Sequence, residues 1–126
     1  MMSRLAQAID THSWNDLPGL LHDDFVCRYV HTGETFDRSS WVRLNAEYPG
    51  FDHLVLEDCI GTELRAAGRS HVTGYSGEEL QHFEVATFIT LRDGLIADMT
   101  EVWTNVNAAA QPGRAPHRPR PRSRTV

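Results

Sequence analysis

An α+β domain, with amino-terminal helices packed on a strongly curved, mostly antiparallel sheet, follows from three observations on this sequence. Helical spacing of apolar residues occurs only in the first half, at Leu5, Ala8 and Ile9 and again at Trp41, Leu44 and Tyr48, with Asn45 on the second face. Beyond Pro49-Gly50 the period changes to β-branched and aromatic runs separated by turn residues. The 126 residues, 40% hydrophobic and 9% aromatic, supply one core and leave no room for a second domain. A sheet that curls over its helices is the economical way to close such an order.

The elements follow in sequence. Ser3 is placed to cap the first short amphipathic helix. A second helix is expected at once: Pro18 fits only a first turn, so this helix starts near Asn15 or Asp16 and carries Leu17, Leu20 and Leu21 to His22. Residues 25–31 are β-branched and aromatic and stop at Gly33, which reads as a strand. Asp37 caps a third helix whose one face carries Trp41, Leu44, Asn45 and Tyr48, and Pro49-Gly50 ends it. Four strands are then expected, at 54–60, at 63–75 with an interruption at Gly68, at 81–91 and at 95–105. Asp93-Gly94 is a hairpin turn between the last two.

After Val106 the composition collapses into Ala108-Ala109-Ala110, Pro112-Gly113 and an arginine/proline alternation. The domain is therefore bounded at 1–106, and 107–126 is expected to be a disordered tail, lacking apolar side chains to bury. Charge divides at the same point. The first 105 residues carry all 17 acids and 7 of the 12 arginines, a net −10, against +5 beyond them; lysine is absent. An acidic body disfavours nucleic acid as a partner, because phosphate recognition needs a basic face. Cys27 and Cys59 are far apart, make no metal-ligand spacing and read as buried free thiols. No run approaches the length of a membrane span and the start lacks a continuous apolar segment, so a cytoplasmic protein is expected.

The last strand holds the most informative residue. Alternation puts Ala97, Met99, Glu101, Trp103 and Asn105 on one face, so a lone carboxylate stands in an apolar row beside an indole. If that face lines a cavity, low dielectric raises the proton affinity of Glu101 toward the range useful for acid or base chemistry. The structural alternative is that Glu101 meets an arginine at a sheet edge or seam.

Trp14-Asn15-Asp16-Leu17 leading to Leu20-Leu21-His22-Asp23-Asp24-Phe25, His31-Thr32-Gly33-Glu34, Asn45-Ala46-Glu47-Tyr48-Pro49-Gly50, and Arg92-Asp93-Gly94-Leu95-Ile96 followed by Glu101-Val102-Trp103 occur here in order. In these segments the chain resembles the nuclear transport factor 2-like superfamily and, within it, the bacterial SnoaL-like group. The resemblance spans about residues 3–106. It implies a cone with a pocket at its open end, paired as a homodimer through the sheet. It does not imply one activity, since ketosteroid isomerases, epoxide hydrolases, polyketide cyclases and plain binders share the fold. The base of the isomerases would fall at Tyr29 and their protonated acid near Thr87, so neither carboxylate is present, and the hydrolases' Asp-Arg-Asp relay has no counterpart.

The candidate pocket therefore combines Tyr29 and His31, with Cys27 deeper on the same strand; Trp41, Asn45 and Tyr48 from the third helix; and Glu101 and Trp103 from the last strand. Glu101, His31 and Tyr29 are the candidate catalytic residues; Trp41, Asn45, Tyr48 and Trp103 are candidate substrate contacts. Trp41 and Tyr48 at helical spacing are equally readable as core. His82 and Glu84 are second choices, because the phase of their strand is open. Such an aromatic box suits a small apolar or aromatic molecule held by one or two hydrogen bonds. Two functions compete: acid–base catalysis on a carbonyl, enol or epoxide with no cofactor or metal, and ligand binding without turnover. A dimeric interaction domain whose arginine tail recruits an anionic partner is the third.

Overall fold

The computed structural model describes residues 1–106; the expected tail lies outside the described residues. Two helices, α1 (Met2–Asp10) and α2 (Arg38–Ala46), lie against six strands: β1 (Leu21–Tyr29), β2 (Thr35–Asp37), β3 (Phe51–Gly61), β4 (Arg65–Ser76), β5 (Glu79–Arg92) and β6 (Leu95–Asn105). The sheet order is β2-β1-β6-β5-β4-β3, with every pairing antiparallel except β1 with β6. β6 therefore has a partner on both edges, and the last described strand in chain order is an inner one.

Met2, Leu5, Ala6, Ala8 and Ile9 bury one face of α1. Gly68, read from sequence as a break, is instead the seat of this helix. β4 runs on through it, and a Cβ there would come within 3.0–3.1 Å of the Met2 and Leu56 side chains. Asp10, the last residue of α1, accepts hydrogen bonds from the Leu54 amide at 3.0 Å and from His53 Nδ1 at 2.9 Å, which ties the helix end to β3. At α2 the expected cap is present: Asp37 Oδ1 accepts from the Ser40 amide, and Ser40 Oγ accepts in return from the Asp37 amide. Asp93 and Gly94 both have positive φ, as a tight turn matched to strand twist requires.

Four local expectations are corrected. Ser3 does not cap α1; Met1 occupies that position and no side chain caps it. The second helix is a single 3-10 turn, Leu17–Leu20, because Gly19 follows Pro18 and the chain extends into β1 at Leu21. β1 accordingly starts four residues early and ends at Tyr29, leaving His31 in the turn beyond it. The three-residue β2 was too short to show a period. Of the two free cysteines, Cys27 is buried and Cys59 is exposed on β3 near its end.

β6 contains the irregularity that matters most. Thr90 pairs with Asp98, but Leu91 pairs with Ile96, so Ala97 is an extra residue in the ladder. Ile96 rather than Ala97 is fully buried, while Met99 and Glu101 keep the inner face expected of them. Without the bulge, burying Ile96 would turn Glu101 to the outside.

Candidate active site

The helices cover only part of the inner face, leaving a cavity of ≈ 400 Å³. At its base stands Glu101, only 5% exposed. β5 places Thr87 directly opposite, and the Thr87 hydroxyl donates to Oε2 at 3.2 Å. From the same strand as Glu101, Trp103 Nε1–H donates to Oε1 at 3.1 Å. On the other side β1 brings Tyr29 into register with Glu101. The Tyr29 oxygen accepts from Trp41 Nε1–H at 3.2 Å, which leaves its own proton to give.

Burial raises the Glu101 pKa from 4.5 to about 7, against the opposing pull of the Trp103, Thr87 and Tyr29 donors. Among the described residues no arginine or histidine forms an ion pair with this carboxylate. Tyr29 is pushed well above its ordinary range by burial and then by the Glu101 charge, so it stays a hydroxyl donor. The same causes, in the same order, keep Cys27 a thiol and argue against a nucleophilic role for it.

Six of the seven candidate residues line the cavity: Tyr29, His31, Asn45, Tyr48, Glu101 and Trp103. His31, from the turn after β1, stacks on Tyr29 with centroids 5.2 Å apart. Asn45 donates Nδ2–H to the Trp41 carbonyl one turn back, leaving its side-chain oxygen without a donor in the helix. Tyr48 follows the end of α2 and stands exposed at the rim. Trp41 is the exception. It is 1% exposed, packs on Phe25 at 5.4 Å and reaches the site only through Tyr29, so it is core and not a wall of the cavity.

The second choices also lie elsewhere. Phe83, Val85 and Thr87 point inward, which puts His82 and Glu84 on the outer face. There Glu84 accepts from Arg69 and pairs with His71, whose Nε2 is 2.9 Å from His82 Nδ1. Glu57, His71 and Glu84 bring donor atoms within 4.8 Å of one another, with Arg69 bridging the two carboxylates.

Sequence reasoning missed Glu34, Phe36 and Phe83, all in the cavity wall. Glu34 and Phe36 come with the unforeseen β2; Phe83 was hidden by the unsettled phase of β5, which a match of Val85, Thr87 and Ile89 to the inner face of β6 would have fixed.

Residues 2–99 match the model of the SnoaL-like domain, and the chain belongs to that family. Three solved structures share the architecture. A candidate ketosteroid isomerase from Kribbella flavida DSM 17836 is 24% identical, with a TM-score of 0.77 over 94% of this chain and 85% of that one. IdmH, a candidate polyketide cyclase from Streptomyces antibioticus, is 17% identical, TM-score 0.71, covering 81% and 88%. An LEH-like epoxide hydrolase of M. tuberculosis is 14% identical, TM-score 0.70, covering 82% and 79%. At these identities the likeness is one of fold. No curated protein sequence matches the chain.

Proposed function

We propose that this protein is a cofactor-independent acid–base enzyme acting on a small, largely apolar substrate, in an isomerisation, cyclisation or hydrolysis. The observation that carries the reading is Glu101: a buried carboxylate with a pKa near neutrality, in the wall of a cavity, with no cationic partner among the described residues. Such a group holds or releases a proton over a small pH change. Tyr29 supplies a second donor to a substrate oxygen, and Trp103 orients the carboxylate it binds. The three solved structures named above support the range of reactions, not any one of them. His31, stacked on Tyr29 in the cavity wall, is the group proposed to relay a proton to solvent.

The test is a panel of cyclic unsaturated ketones, enols and terpenoid epoxides incubated with the protein in deuterated buffer. Deuterium incorporation next to the carbonyl, or ring opening, above the buffer rate supports the enzyme. Saturable binding across the panel with no conversion would establish a binding module instead, the second reading that the same cavity allows.

A homodimer through the outer sheet face belongs to this proposal. Phe88 and Val102 there are 48% and 41% exposed on adjacent strands, and a second copy would cover them. Light scattering at micromolar concentration should give twice the chain mass; a monomer removes the dimer. Residues 1–106 are taken as the folding unit in a cytoplasmic protein. Deleting 107–126 should lower the melting temperature by less than about 4 °C, the shift expected for roughly 1 kcal/mol in a domain of this size. A larger fall places the boundary elsewhere.

A further inference from the structure

We propose that the cavity selects a small organic cation, an amine carried as its ammonium ion, seated against Glu101 and walled by aromatic rings. The inference rests on the acid–base reading of the same cavity and names its ligand class. Its first support is charge. Among the described residues lining the cavity, the charged side chains are two carboxylates, Glu34 and Glu101, and none is an arginine. A carboxylate ligand would bring a third negative charge into a poorly solvated space where, among the described lining residues, the His31 imidazole is the one basic group.

Shape gives the second support. Tyr29 and Phe36 stand edge to face with centroids 4.9 Å apart and planes at 63°, and Phe83 and Trp103 do the same at 6.4 Å and 69°. Both pairs contribute to the wall, so rings meet the cavity in crossed orientations around one carboxylate. Crossed rings with an acid among them are the physical recipe for holding an ammonium, because ring faces attract cations and the carboxylate supplies the counter-charge. A neutral ligand of the same shape gains only the apolar contact.

Titration supplies the discriminating signature. The groups facing Glu101 are Tyr29 and Cys27 from β1, Thr87 from β5 and Trp103 from β6, with His31 and Glu34 further along the wall. Glu101 ionises near neutrality whereas Tyr29 and Cys27 stay protonated, so affinity for a permanent cation rises with pH through about 7. Affinity for a neutral isostere stays flat.

Choline, its uncharged isostere 3,3-dimethylbutan-1-ol and the anion 3,3-dimethylbutanoate serve as probes, with the indole N–H resonance of Trp103 as the readout. At about pH 8 choline should bind at least about tenfold tighter than the alcohol, and the butanoate weakest. The advantage should shrink toward about pH 5.5 as Glu101 takes up its proton. It should vanish in Glu101→Gln and keep its pH dependence in His31→Gln. Equal binding of choline and the alcohol at pH 8, an advantage that survives Glu101→Gln, or no saturable shift with choline overturns the proposal. If choline fails while the ketone and epoxide panel is converted, the amine class falls and the acid–base reading stands; the opposite pattern keeps the ligand class and removes the chemistry.

Discussion

Replacing Glu101 by glutamine should lower turnover by about 10²–10⁴-fold while leaving a folded protein, because it removes the titrating proton and little else. The amide oxygen can still accept from Trp103 Nε1–H, and the amide N–H₂ can donate to the Thr87 hydroxyl, which rotates from donor to acceptor. Stability carries a second signature. The folded-state pKa, about 7, lies above the ordinary 4.5 of an unfolded glutamate. Between those values the native protein holds a proton that the unfolded chain has released, so stability falls as pH rises through the window and levels off above it. The full effect is of order 3 kcal/mol. Urea melts of wild type and Glu101→Gln at about pH 4 and pH 8 should therefore diverge, the wild type losing more stability at the higher pH. Parallel curves would mean that Glu101 does not titrate in this range.

The second large effect is expected at Trp41. It is the largest fully buried side chain, packed on Phe25 and hydrogen-bonded to Tyr29, and Trp41→Ala should cost about 3–5 kcal/mol through lost burial and an unfilled cavity. Trp41→Phe separates the two contributions. It keeps a ring but strips the donor from the Tyr29 oxygen, at a cost of about 1 kcal/mol beyond the volume change. Denaturant midpoints of both variants check the order. An alanine variant as stable as wild type would contradict the core assignment.

How much of this was legible from sequence depended on whether the signal was local. α2 was readable because its stop and start are chemical: Asp37 with Ser40 at one end, Pro49-Gly50 beyond the other. Glu101 was readable because a charge in an alternating apolar strand announces a face. The short turn at Leu17–Leu20 was overestimated because its leucines match a helix while Gly19 and the pairing of Leu21 with Ile96 decide otherwise. Among the described residues β2 pairs in the sheet with β1 alone, and it left no periodic trace. Trp41 and Glu34 show the same limit from two sides. A ring at helical spacing looks alike whether it faces a cavity or the layer beneath, and a glutamate in a turn looks alike whether or not a cavity opens beside it. The Ala97 bulge depends on the register between two strands, which no single strand's pattern contains.

The inner place of β6 sets the order in which this molecule can assemble. Arg28 of β1 and Asp98 of β6, joined by a 2.7 Å ion-paired hydrogen bond, are 70 positions apart in the chain. Until β6 is made, β1 and β2 have no sheet pairing with the meander of β3, β4 and β5, to which the amino-terminal segment is tied only through α1, and β5 offers an open backbone edge with Val85, Thr87 and Ile89 uncovered by β6. Synthesis from the amino terminus thus leaves the sheet in two incomplete pieces until nearly the whole domain exists, and its closure is a late event with a large loop to restrict. During that interval the β5 edge is open to the equivalent edge of another nascent chain. The strand that carries Glu101 is also the one whose arrival ends that exposure.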